Sequence, residues 1–168
     1  MKIEIRKGNI ATMEADAIVN AANSDLYPGA GVCGAIFAAA DYGALVKECE
    51  RIGHCDVGKA VLTPPCGLKA KAIIHAVGPR YRDEGHEALL YSAYVSSLEL
   101  AEQNGFSTIA FPMISTGIFS YPKREATDVA ISAIRKYGED HPDSSIQTVF
   151  LMAYDNHDLE VLQEALAK

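Results

Sequence analysis

The sequence predicts an α/β fold, with helices layered on a largely parallel central sheet. Three observations carry that expectation. Short aliphatic runs alternate along the chain with longer segments of helical period. The runs near residues 108–113 and 148–153 are apolar at nearly every position, as strands covered on both faces are. The chain also has 168 residues, 49% hydrophobic and 22% charged, enough for one core of ordinary size.

The elements follow in order. Ile3 and Ile5 alternate with charges, the pattern of an edge-type strand. Residues 17–19 form a short apolar run, followed by a loop rich in Asn, Pro and Gly. From residue 33 to about 51 the pattern is helical, with small residues at close spacing. Residues 61–63 and 72–77 read as strands separated by the turn signals Pro64, Pro65 and Gly67. A helix near residues 86–104 places Leu90, Tyr94, Leu98 and Ala101 on one face, and Gly105 stands where a C-terminal cap belongs. After the strand at 108–113, Pro122 opens a helix at its first turn, with Ala126, Ala130, Ile134 and Tyr137 on one stripe. The strand at 148–153 precedes a last helix that turns Leu159, Leu162 and Leu166 to the core. No linker, repeat or low-complexity run divides the chain, so one domain spanning 1–168 is expected.

Composition narrows the function. Fifteen Lys and Arg against 22 Asp and Glu give a net charge of −7, which argues against broad nucleic-acid binding because phosphate backbones select a basic footprint. No stretch approaches the roughly 20 apolar residues of a membrane span, and the N-terminus lacks a signal-peptide core. A cytoplasmic protein, by default a monomer, is expected. Cys33, Cys49, Cys55 and Cys66 form no C-x-x-C pair, and His54 beside Cys55 has no further zinc ligands at suitable spacing, so reduced thiols and no metal are expected.

Ligands of such sheets bind beyond the carboxyl ends of strands, where the unusual residues of this chain fall. Gly29-Ala30-Gly31-Val32-Cys33-Gly34 matches G-x-G-x-x-G, but the glycines do not follow the strand directly and no acid closes the next strand, which sets a dinucleotide Rossmann unit aside. Three glycines opening a helix still free backbone N–H groups where the helix dipole favours an anion. The segment Ile114-Ser115-Thr116-Gly117-Ile118-Phe119 offers a second set of donors before a helix, without the G-x-S-x-G elbow of a catalytic serine. Neither glycine loop contains Lys or Arg, so an anion there is expected to rest on backbone dipoles. Asn20 and Asn23 flank Ala21-Ala22, and amides can read a ribose diol without adding charge. Cys33 at a helix start is a candidate nucleophile, with His75 the conceivable base; no third orienting group is evident.

Four ordered motifs together resemble the macro domain family: Asp16-Ala17-Ile18-Val19-Asn20-Ala21-Ala22-Asn23, the glycine loop through Ala35-Ile36, Ile74-His75-Ala76-Val77-Gly78-Pro79, and Ile114 to Phe119. The resemblance runs from Gly8 to the last strand and is greatest to MacroD-type bacterial members. It implies a three-layer α/β/α sandwich around a mixed sheet, ADP-ribose as ligand and no cofactor. It further implies hydrolysis of mono-ADP-ribose from acidic side chains of ADP-ribosylated proteins, or deacetylation of O-acetyl-ADP-ribose; a non-catalytic reader of ADP-ribose is the alternative. By motif, Asn9, where Asp is usual, would accept from the adenine amino group, with Ile10 and Tyr154 against the ring. Asn23 would hold the distal ribose and Asn20 support the loop. Gly31, Val32, Cys33 and Gly34 would meet one phosphate, and Ser115, Thr116, Gly117 and Ile118 would wrap the diphosphate from the other side. Phe119 would orient the anomeric carbon, making Asn23, Cys33 and Phe119 the catalytic set. Cys33 departs from the Asp usual in MacroD-type hydrolases, although alphavirus macro domains resemble this chain in their Gly-Val-Cys stretch; Ala30 and Asp41 are smaller departures. With a thiol there, the expected mechanism is substrate-assisted water attack, Cys33 lining the pocket.

Overall fold

A computed structural model describes residues 1–168. Its strands are β1 (Lys2–Lys7), β2 (Ala17–Ala22), β3 (Ala60–Thr63), β4 (Ala72–Val77), β5 (Thr108–Phe111) and β6 (Thr148–Ala153). Its helices are α1 (Gly31–Ala39), α2 (Tyr42–Ile52), α3 (His86–Gln103), α4 (Lys123–Asp140) and α5 (Asn156–Leu166), with a short 3₁₀ turn at Ile10–Thr12. One six-stranded sheet runs in the order β1-β6-β5-β2-β4-β3. All neighbours are parallel except β3 against β4, so the sheet is mixed.

Successive strand residues point to opposite faces, and each face buries its own core. Val19, Ile74, Ile109 and Leu151 pack with Leu90, Tyr94 and Leu98 of α3, Ala130 and Ile134 of α4, and Leu162 of α5. Their chain neighbours Ile18, Ile73, Ala110 and Met152 pack on the other side with Ile36 and Phe37 of α1 and Leu45 and Cys49 of α2. This is the three-layer α/β/α sandwich. Every residue of β4 is buried, whereas β1 pairs only with β6 and leaves Lys2, Arg6 and Lys7 exposed, as its alternating charges predict.

Four details differ from the sequence reading, the first being the strand expected at 108–113, which ends at Phe111 because Pro112 has no N–H to pair. The helical pattern at 33–51 is two helices, because Ala40 leaves the helical region at ψ 174° and the Asp41 carboxylate restarts a helix by accepting from the Ala44 N–H at 3.2 Å. Pro122 is the cap residue before α4, in extended conformation at ψ 131°, rather than its first turn. The run at 17–19 continues to Ala22, placing Asn20 within β2 and at register with His75 of β4. Gly105 does follow the cap of α3 at φ +68°, as expected.

Candidate functional site

Because β1, β6, β5, β2 and β4 run parallel, their carboxyl ends and the loops after them gather at one edge of the sandwich. A cleft of about 610 Å³ opens there. Of the residues expected at a ligand, it is lined by Asn9, Ile10, Asn23, Gly31, Val32, Cys33, Ser115, Thr116, Gly117, Ile118, Phe119 and Tyr154. Asn20, 1% exposed, and Gly34 are not part of its lining.

The glycine loop is shaped from both ends. The Asn23 amide clasps Tyr27, donating to its carbonyl at 2.9 Å and accepting from its N–H at 3.0 Å, which closes the turn after β2. Gly34 must lack a side chain, since a Cβ there would stand 2.6 Å from the Gly29 carbonyl oxygen. Ala30, the residue before α1, has no side chain that can cap it. The N–H groups of Gly31, Val32 and Cys33 therefore have no partner in the chain, and all three residues line the cleft.

The loop after β5 presents the facing set. Tyr94, deep in the core, accepts from the Ile114 N–H at 3.4 Å and donates to the Pro112 carbonyl at 3.3 Å. Ser115 then turns into the left-handed region at φ +69°. The Thr116 hydroxyl donates to the Met113 carbonyl at 2.8 Å, and the Ser120 and Tyr121 N–H groups return to Gly117 and Ser115 at 3.0 Å. This folding uses the ends of the loop and leaves the N–H groups of Ser115, Gly117, Ile118 and Phe119 without partners. The buried Ser115 hydroxyl is likewise unpaired. From behind, the loop rests on Gly78, where a Cβ would overlap Ser115 Oγ and stand 2.5 Å from Ile114 Cγ2. The Tyr81 N–H holds the Phe119 carbonyl at 2.9 Å.

The third end of the cleft is apolar. Ile10 and Met152 are buried, and Tyr154 stands on the rim at 79% exposure. Asn9 Oδ1 already accepts from the Ala11 N–H at 2.9 Å, capping the 3₁₀ turn, and keeps one lone pair for a ligand. The sequence reading missed Lys123 and Asp158 here. Lys123 Nζ meets Asp158 Oδ1 at 2.6 Å, and Asp158 Oδ2 accepts from the Tyr154 N–H at 3.2 Å. Lys123 is the one cationic side chain of the lining and Asp158 the one carboxylate, so the pair leaves the wall neutral. Asp155 is the cap residue of α5, its carboxylate accepting from the Asp158 N–H at 2.9 Å, and this cap holds Asp158 in the first turn facing Lys123.

Cys33 and His75 form no dyad. His75 hydrogen-bonds Asn20 Nδ2 at 3.1 Å and Thr63 Oγ1 at 3.0 Å, and Asn20 stands between the ring and the thiol. Burial pushes the imidazole down to about 4, so it is neutral at pH 7. Burial also pushes the Cys49 and Cys55 thiols up to about 11, leaving both as inert core groups.

Comparison with known proteins converges on one family. The Macro domain family model matches residues 19–130. A macro domain-containing protein of Listeria monocytogenes is 44% identical over 172 residues, covering 99% of this chain and 97% of that protein. A protein of Enterobacter sp. named O-acetyl-ADP-ribose deacetylase is 42% identical, covering 98% of this chain and 93% of its own length. Among solved structures, the Oceanobacillus iheyensis macrodomain with ADP superposes with a TM-score of 0.92 at 32% identity, over 98% of this chain and 90% of that one. A Trypanosoma brucei macrodomain in complex with ADP-ribose does so at 0.91 and 32%, over 98% and 68%.

Proposed function

The chain belongs to the macro domain family, and from that premise we propose that its cleft binds ADP-ribose and hydrolyses esters of it. The substrates are mono-ADP-ribose on acidic protein side chains and O-acetyl-ADP-ribose. The observation that carries this reading is the pair of facing loops whose N–H groups, at Gly31 to Cys33 and at Ser115 and Gly117 to Phe119, have no partner within the chain. Such donors hold a diphosphate without a cationic side chain. The apolar end, with Ile10, Met152 and Tyr154, suits a base, and Asn23 and Phe119 suit the ribose that carries the ester.

The lining supports substrate-assisted attack. Its one carboxylate, Asp158, is engaged by Lys123, so no free carboxylate stands ready as a base. The Cys33 thiol donates to the Tyr27 carbonyl at 3.7 Å and no base touches it, so it lines the pocket. Water oriented by the ligand's own phosphate adds its oxygen to the ester carbon or to the anomeric carbon. The ester C–O bond breaks and the departing oxygen takes the proton. The loops contribute orientation and dipolar stabilisation of the developing charge.

The absence of a free carboxylate also favours the second reading, a module that holds ADP-ribosylated protein without turning it over. Release of ADP-ribose from an Asp/Glu-linked target, and of acetate from O-acetyl-ADP-ribose, separates the two. Tight binding of free ADP-ribose with neither release would leave the reader. We extend the same proposal to a monomer acting in the cytoplasm as one domain over residues 1–168.

A further inference from the structure

Beneath the cleft, polar side chains from three adjacent strands meet inside the α1/α2 core. Thr63 of β3, His75 of β4 and Asn20 of β2 are each no more than 1% exposed. They make a continuous chain: Thr63 Oγ1 to the Pro64 carbonyl at 3.2 Å, His75 Nε2 to Thr63 Oγ1 at 3.0 Å, and Asn20 Nδ2 to His75 Nδ1 at 3.1 Å. It continues from Asn20 Nδ2 to Cys33 Sγ at 3.6 Å and from Cys33 Sγ to the Tyr27 carbonyl at 3.7 Å. That carbonyl is the one the Asn23 amide clasps.

The direction of the chain is fixed from its ends. The Pro64 carbonyl can only accept, so the single Thr63 proton goes to it and His75 must donate through Nε2. Nδ1 then carries the lone pair that receives an Asn20 N–H, which leaves the second N–H of that amide for the thiol. Burial keeps the ring neutral, as this tautomer requires. The orientation has a cost: Asn20 Oδ1 is buried with no partner in the chain. An amide that gives up its oxygen to hold an imidazole and a sulfur is committed to those two groups.

We propose that Thr63 and His75, which do not line the cleft, are positioning residues for it: through Asn20 they fix the Cys33 thiol, and through the Tyr27 carbonyl they fix the Asn23 amide. The thiol is thereby held as an acceptor toward Asn20 and a donor toward Tyr27, in one rotamer on the wall. For its consequence, though not for its geometry, the inference rests on the cleft being an ADP-ribose site.

The test removes the far end of the chain. Thr63→Val keeps the shape of the side chain and deletes its hydroxyl, while Thr63→Ser keeps the hydroxyl. Iodoacetamide modification at pH 7.5, followed residue by residue by peptide mass spectrometry, reads the thiol, with Cys49 and Cys55 as unreactive internal controls. Loss of one neutral hydrogen bond corresponds to about a fivefold change. The Cys33 rate should rise about fivefold in Thr63→Val and stay within twofold in Thr63→Ser, with ADP-ribose bound about fivefold more weakly by the Val variant. Equal Cys33 rates in the three folded proteins overturn the proposal. So does ¹⁵N NMR of the wild-type protein showing His75 protonated at Nδ1, a measurement that stands if Thr63→Val fails to fold. Wild-type protein that binds no ADP-ribose refutes the proposed function and leaves the alkylation and tautomer results to decide the positioning role.

Discussion

Acidification should destabilise this protein through His75 before most of its carboxylates take part. The ring is 1% exposed, and burial lowers it from the ordinary 6.5 to about 4. The unfolded chain binds that proton first. The stability His75 contributes is therefore complete above pH 6.5, declines as pH falls through the interval, and is gone below about 4. A displacement from 6.5 to about 4 is worth about 3 kcal/mol in full, about 2.5 kcal/mol of it by pH 4.5. That is a large fraction of the roughly 5–15 kcal/mol by which domains are stable. Asp83, held below its ordinary 3.8 by Arg80, and Asp155, held below it by the Asp158 N–H, act mainly at lower pH. The chain has no Trp, so urea unfolding is best followed by far-UV circular dichroism at steps between pH 7.5 and 4.5. His75→Gln removes the titration, and subtracting its curve from the wild-type curve cancels every group the two share. Parallel curves, or an NMR titration placing His75 near 6.5, would refute the reasoning.

Three further outcomes are expected. Gly78→Ala drives a Cβ into Ser115 and Ile114 and should cost about 1–3 kcal/mol in thermal unfolding while weakening ADP-ribose binding in calorimetry. Asp158→Ala strips Lys123 and the Tyr154 N–H of their acceptor at once, and should lower stability by about 1–3 kcal/mol by urea unfolding. Asn23→Ala or Phe119→Ala should reduce ADP-ribose release at least tenfold, whereas Cys33→Ala keeps measurable release; complete loss in Cys33→Ala with unchanged binding would restore the thiol as nucleophile.

Much of the fold is legible because strand burial and helical stripes are local patterns. β4, β5 and β6 declare themselves by apolar runs, and α3 and α4 by their stripes. What escapes is decided at a distance or by one atom. The break between α1 and α2 turns on a single Asp41 carboxylate within an alanine-rich stretch that would otherwise continue as helix. The reversed direction of β3 is set by its pairing with β4, which four residues of strand cannot announce. At the cleft, the glycine loop and the segment from Ser115 to Phe119 are visible because their residue types are unusual for their places. Lys123 and Asp158 are not, because charges at helix starts are ordinary, and only the parallel topology brings these two together. Of the polar chain under Cys33, Asn20 and His75 stand out in the sequence but Thr63 does not, and only the pairing of β3 and β2 with β4 brings the three together.

The neutral wall of the cleft bears on how a ligand arrives. Lys123 is cancelled by Asp158, and the chain as a whole carries −7, so nothing at long range draws a diphosphate inward. The partnerless N–H groups act only at contact. Capture therefore begins as an encounter against a weakly repulsive field, and raising the ionic strength should quicken association where a basic pocket would slow it. Selectivity on this footing favours a molecule that fits the loops over one that merely carries charge.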